Sequence, residues 1–156
     1  MATSFITKDN KHGFWIHDSV FGLVCMLLHD VIEIDFKGES EEWVKDIQIL
    51  LDYNAKGYFH SFMHLKLDEL LNDEKRKKKF TAICEKTKKY IRTKYDHYIP
   101  SDELTSWYTN GKISYNLGKG NYQFETNRLI KTLNYLEDVV NDKTTILVDD
   151  KIDYHF

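Results

Sequence analysis

His60 and His64 are the closest thing to a metal-ligand pair in the chain. Four residues apart, they share one face if the segment is helical, and two imidazoles so placed can hold zinc. Ser61, Phe62 and Met63 lie between them, so the glutamate that a zinc protease uses as its base is missing. The competing reading is two half-buried imidazoles packed against Phe59 and Phe62. Gly118-Lys119 looks like part of a phosphate loop, but Ile113 stands where the first glycine belongs and Gly120 where Ser or Thr is needed. Gly118-x-Gly120 also lacks the third glycine and the preceding strand of a dinucleotide fingerprint. His17, Asp18 and Ser19 are sequence neighbours, which does not build a triad, and no nucleophile elbow occurs. Asp149-Asp150 sits in polar tail sequence and reads as an ionised surface pair. These patterns lead us to expect no catalytic residue, no metal and no cofactor.

The elements that must carry these residues are mostly helical. Between residues 16 and 34, Val20, Leu23, Val24, Leu27, Leu28, Val31 and Ile32 recur at spacings of three and four, with Phe21 and Cys25 widening the stripe. Such a helix belongs at the centre. Gly38 and Ser40 break the chain, and Ser40 can cap a second helix whose first turn holds Glu41 and Glu42. Trp43, Val44, Ile47, Leu50 and Leu51 mark its inner face, and it should end near Gly57. Residues 59–71 read as a shorter helical stretch. Asn72 is placed to cap a long helix that carries Phe80, Ile83, Cys84, Thr87, Tyr90, Ile91 and Tyr95 and cannot pass Pro100. Ser101 can cap a short turn through Trp107. The stretch 109–123, with Gly111, Gly118 and Gly120, reads as a loop, and Asn110-Gly111 suggests a hairpin with two very short strands. A last helix runs from about Thr126 to Val140. Residues 144–156 alternate loosely and could form a small hairpin around Asp149-Asp150. The expectation is a mainly α, single-domain bundle of about five helices, with its core in 13–141, a tail at 142–156, and a short β-hairpin near 109–123 or in the tail.

The 156 residues suit one domain, and 42% hydrophobic residues support a packed core. Two cysteines exclude a disulfide scaffold, and both read as buried reduced thiols of a cytosolic protein. The longest apolar run, Val20 to Leu28, is too short to span a bilayer, and no secretion signal is legible. The net charge of −3 hides a segregation. Residues 1–72 hold 6 basic against 12 acidic side chains, residues 73–97 hold 10 against 4, and residues 98–156 hold 6 against 9. The basic block, from Lys75-Arg76-Lys77-Lys78-Lys79 to Lys94, can grip a phosphate backbone, but it reads better as a helix face paired with the acidic helix beside it. Direct nucleic-acid binding is therefore not expected. The acidic stretch through Asp30, Glu33, Asp35, Glu39, Glu41, Glu42 and Asp46 can dock a basic partner or serve solubility alone. Trp15, Trp43, Tyr58, Phe59, Phe80, Tyr90 and Tyr95 read as core. Tyr98, Trp107, Tyr108, Tyr115 and Tyr122 surround the glycine-containing loop and suit a docking surface.

Two resemblances bear on function. Arg92 to His97 reads Arg-x4-His, which resembles the catalytic motif of the helical HEPN ribonucleases. In that family the Arg stabilises phosphate charge and the His assists attack by the 2′-hydroxyl. Toxin-associated members carry a Tyr two residues after the His, where this chain has Ile99, with Pro100 just beyond. A second group of segments is Gly13-Phe14-Trp15, Trp43, Lys56-Gly57-Tyr58-Phe59, and Phe124-Glu125-Thr126-Asn127-Arg128-Leu129-Ile130. Their order over residues 13 to about 140 resembles small helical bacterial immunity proteins that accompany polymorphic toxins, including those of contact-dependent growth inhibition. The tail departs from that pattern, and the family offers no catalytic residues to carry over. The resemblance implies a cytoplasmic inhibitor that occludes a cognate toxin domain, such as a nuclease. On that reading the expected contact residues are Glu33, Asp35, Glu39, Glu41, Glu42, Trp107, Tyr108 and Tyr115.

Overall fold

The structure, a computed structural model, describes residues 2–9, 12–38, 41–59 and 63–143. The chain is mainly α. In order it forms β1 (Thr3–Thr7), β2 (Gly13–His17), α1 (Asp18–Asp35), α2 (Glu42–Ala55), α3 (Leu67–Leu70), α4 (Glu74–Lys94), β3 (Tyr98–Ile99), α5 (Ser101–Thr109), β4 (Phe124–Glu125) and α6 (Thr126–Val140). β1 and β2 pair antiparallel, with Phe5 opposite Trp15, and β3 pairs with β4. The helix expected from residue 16 therefore starts at Asp18, because Ile16 and His17 belong to a strand. The first seventeen residues carry no helical period, and their hairpin is the largest element absent from the sequence reading.

α1 is the central helix and packs against α2, α4 and α6. Its stripe widens until twelve consecutive or nearly consecutive residues, from Ser19 to Ile32, are buried. Such a helix needs partners on several sides, which the amphipathic α2, α4 and α6 supply. The core extends before residue 13, since Ile6 is buried in the same cluster. Ser4 binds this end to the rest: its hydroxyl donates to Asp18 Oδ1 at 2.7 Å and accepts from the Met63 amide at 2.9 Å. Cys25 and Cys84 are both buried, and burial drives both thiol pKa values well up.

Residues 59–71 do not form the expected helix: among the described residues only Leu67–Leu70 is helical, which brings the helices to six. The buried Asn54 explains the extended path. Its amide donates to the Leu50 and His64 carbonyls at 2.7 and 2.8 Å and its oxygen accepts from the His64 amide, so it holds residue 64 as a strand partner would. α4 is capped by Asp73, whose carboxylate accepts from the Arg76 amide at 2.8 Å, rather than by Asn72. α5 extends to Thr109, past Trp107, and Ser101 is its first residue, with Pro100 at the N-cap position. Ser40, the expected cap of α2, and the tail 144–156 with its possible hairpin lie outside the described residues.

The hairpin expected at 109–123 is replaced by a helix ending. Gly111 (φ +75°) lets its amide donate to the Tyr108 carbonyl at 3.1 Å and the Lys112 amide to the Trp107 carbonyl at 2.8 Å. This is the Schellman pattern, which needs a left-handed residue just as a tight hairpin does. The short strands lie outside that loop, at 98–99 and 124–125, and pair its two ends.

Candidate docking groove

The same device closes α2. Gly57 (φ +72°) donates to the Asn54 carbonyl at 3.2 Å, and the Tyr58 amide donates to the Tyr53 carbonyl at 3.0 Å. The motif brings the first and last of these residues together, so the Tyr53 and Tyr58 rings meet edge to face at 5.5 Å. Phe59 lies 6.3 Å from Tyr53 and 4.6 Å from the His64 ring. The Ser114 amide takes the Ala55 carbonyl at 3.1 Å, which seats the segment after α5 on the end of α2.

Two helix endings thus converge on the middle of α1. Between them lies a cavity of about 280 Å³, floored by Met26 and Ala55 and walled by His29, Asp30, Asp52, Lys56 and Asn110 to Lys112. It adjoins a shallower depression of about 350 Å³ that shares His29 and Asp52 and adds Glu33, Lys45, Gln48, Ile49 and Tyr53. Lys112 Nζ reaches Asp30 at 3.1 Å and Lys56 Nζ reaches Asp52 at 2.9 Å. Burial disfavours the Asp30 carboxylate, but hydrogen bonds from His29 and Lys112 outweigh it and hold its pKa below the usual range. Asp52 in turn raises the Lys56 pKa through their hydrogen bond. The groove is therefore lined by fixed charges of both signs over an apolar floor. Along its edge Ile49 is 51% exposed and Tyr53 44%, and Tyr58, whose ring packs on Tyr53, is 58% exposed.

The residues singled out from sequence fall in several places. Glu33 is in the groove, where its carboxylate accepts from Gln48. Asp35 is exposed at the end of α1 and borders a different groove beside α4. Glu41 is engaged internally: it accepts from Lys79 Nζ and from Trp43 Nε1, both at 2.8 Å, and the Lys79 hydrogen bond lowers its pKa. Glu42 is exposed in the first turn of α2, and Glu39 lies outside the described residues. Trp107 is half-buried and meets Tyr95 edge to face at 6.4 Å, while Tyr108 and Tyr115 are exposed. Tyr58, read as core, is exposed; Trp15, Phe59 and Tyr90 are half-buried.

Nothing of the helical face proposed for His60 and His64 survives among the described residues. His64 is outside any helix, burial and then the Lys66 ammonium lower its pKa, and His60 is not among the described residues. One trio, Asp9, His12 and Asp142, has donor atoms within 4.8 Å of one another. Its groups are already engaged, His12 with Asp9 and Asp142 with Lys8 and Lys77. Arg92 and His97 do not share a helix, because α4 ends at Lys94 and His97 lies on the following bend with an 80% exposed side chain. Gly118 serves packing: a Cβ there would run into the Ser101 carbonyl and the Thr105 hydroxyl.

Asp30 belongs to the acidic stretch expected to dock a basic partner, whereas Asp52, Ile49 and Tyr53 escaped the sequence reading of the site. Ile49 and Tyr53 did leave a signal, for they lie four apart and off the buried stripe of α2. Among the described residues no helix is long and apolar enough to cross a membrane. No protein-family model, no curated protein and no solved structure matches the chain.

Proposed function

We propose that this protein is a binding module that neutralises a cognate toxin domain, as the resemblance to immunity proteins implies, and that it docks through the α1–α2 groove. One observation carries this reading: Ile49 and Tyr53 stand exposed along a charge-lined groove, with the exposed Tyr58 ring packed on Tyr53. Exposed aromatic side chains beside a cavity are the usual anchors of protein interfaces, and a polar rim keeps water from them. Asp30, Glu33 and Asp52 supply the carboxylates that select a basic partner surface, of the kind a nuclease presents to its substrate. Glu42, Tyr108 and Tyr115, all exposed, extend the surface available for contact. Nanomolar neutralisation requires about −12 kcal/mol, and an interface of roughly 1,600 Å² with a few such anchors can supply it. The inhibitor acts by obstruction in the cytoplasm of the producing cell.

The test is titration of the purified chain with the toxic domain encoded beside it. A nanomolar complex that restores growth on co-expression, and that weakens at least tenfold in Tyr53→Ala, is the expected result. No complex at micromolar concentrations overturns the proposal.

A further inference from the structure

The outward face of α4 is a row at spacings of three and four: Lys75, Lys78, Ala82, Lys86, Lys89 and Thr93, all exposed. The row spans about 27 Å at the helical rise, and it contains no carboxylate. Other lysines of the helix are engaged: Lys77 with Glu74 and Asp142, Lys79 with Glu41, Lys88 with Glu85 and Glu137, and Lys94 with Glu103. Among the described residues, the side chains of Lys86 and Lys89 form no ion pair or hydrogen bond. The C-terminal half of the row borders a groove of about 480 Å³ between α4 and the end of α1. Ile34 lines it and is 62% exposed. Opposite stands the half-buried Tyr90 ring, which Lys94 holds in place: its ammonium sits 5.4 Å from the ring centre and donates to the Tyr90 hydroxyl at 3.1 Å.

We propose that this groove is a second docking site, independent of the α1–α2 groove, for an acidic amphipathic peptide segment of a protein partner. An apolar side chain of the segment covers Ile34 against the Tyr90 ring, and its carboxylates pair with Lys86 and Lys89. Charge complementarity chooses the sign of the partner, since two unpaired ammonium groups flank the groove. The apolar contact chooses its class. Asp35, which also lines the groove, opposes any anion alike, so the discrimination falls to the apolar contact: a phosphate backbone gains nothing from covering Ile34.

The experiment uses the full chain and a fluorescein-labelled helical peptide of Glu and Leu repeats, with an all-Glu peptide and a short DNA duplex as rival probes. Fluorescence anisotropy should show the Glu/Leu peptide binding more tightly than either rival, with affinity falling as salt rises. Lys86→Glu with Lys89→Glu should weaken it at least tenfold. Ile34→Ser should weaken it roughly tenfold through lost apolar burial, whereas Tyr53→Ala should leave it unchanged. All these side chains are exposed, so circular dichroism should report an unaltered fold. Three results overturn the proposal: no binding of the peptide, tighter binding of the duplex or all-Glu peptide with no effect of Ile34→Ser, or self-association of the wild type abolished by the lysine reversals.

Discussion

The outer faces of α2 and α4 answer the same problem differently. Each lies opposite a buried stripe, Trp43, Val44, Ile47 and Leu51 in one and Phe80, Ile83, Cys84 and Ile91 in the other. α4 turns lysines outward and pairs Lys77, Lys79, Lys88 and Lys94 with carboxylates of other segments. α2 turns Ile49 and Tyr53 outward, although apolar side chains there contribute nothing to the core. Charge on a solvated face is the default, so the α4 row taken alone is unremarkable in composition. Apolar anchors beside a preformed groove are not the default. The contrast teaches that the less charged of the two helices carries the stronger functional signal.

The largest test separates inward from outward lysines on α4. Lys88 is 5% exposed and uses its three protons on Glu85 (2.6 Å), Asn134 (2.8 Å) and Glu137 (3.2 Å). Lys88→Ala removes the donor shared by Glu85, Asn134 and Glu137 between α4 and α6 and should cost about 1–3 kcal/mol in urea unfolding. Lys89→Ala, one residue on, should stay within about 0.5 kcal/mol. Equal losses would erase the distinction between the two faces.

Gly57→Ala addresses the α2 side. A side chain at φ +72° costs about 1–2 kcal/mol, and the added Cβ meets Ser114 at 2.9 Å. Stability should fall by that amount, and partner affinity should fall with it, because Tyr58 and the segment after α5 both depend on this turn. Unchanged affinity in the destabilised variant would detach the groove from the helix ending that shapes it.

A smaller effect is a slope with pH. Burial, reinforced by a hydrogen bond with Glu85, raises the Glu137 pKa to about 7 from an ordinary 4.5. The folded state holds this proton more tightly than the unfolded one, so its contribution to stability is complete below pH 4.5 and is lost as pH rises to about 7. Glu85 works in the opposite sense: hydrogen bonds with Lys88 and Glu137 lower its pKa, and its contribution fades only as pH falls below its ordinary range. Glu137→Gln should flatten the dependence of the urea midpoint between pH 4.5 and 7. If the variant keeps the wild-type slope, another group controls it.

The smallest expected change concerns the proposed anchors. Ile49→Ser should alter stability by no more than about 0.5 kcal/mol while weakening the toxin complex. Thermal unfolding beside titration calorimetry distinguishes this from a core residue, for which both would collapse together.

Several elements were legible because a single period dominated them. The stripe from Val20 to Ile32 and that from Leu129 to Val140 each have one physical solution, a helix burying that face, and the boundaries of α6 match the expected 126–140. Asn110-Gly111 is ambiguous in sequence because glycine at positive φ serves a hairpin turn and a helix C-cap equally well. The choice fell to Trp107 and Tyr108, whose free carbonyls at the end of α5 take the next amides. Residues 59–71 have enough apolar residues for a helix. Asn54, a side chain from another element, outcompetes it for the backbone of His64.

The sequence by itself determined the long helices α1, α2, α4 and α6, which of their faces are apolar, and that basic residues concentrate in 73–97. Those properties follow from spacing and composition within one element. The tertiary structure alone decided that Glu41 is committed to Lys79 and Trp43, that Lys88 is buried, and that Asp30, Asp52, Ile49 and Tyr53 share one groove. The physical reason is that pairing and exposure depend on what a neighbouring element brings within a few ångströms, and the helical period of one segment holds no record of the next.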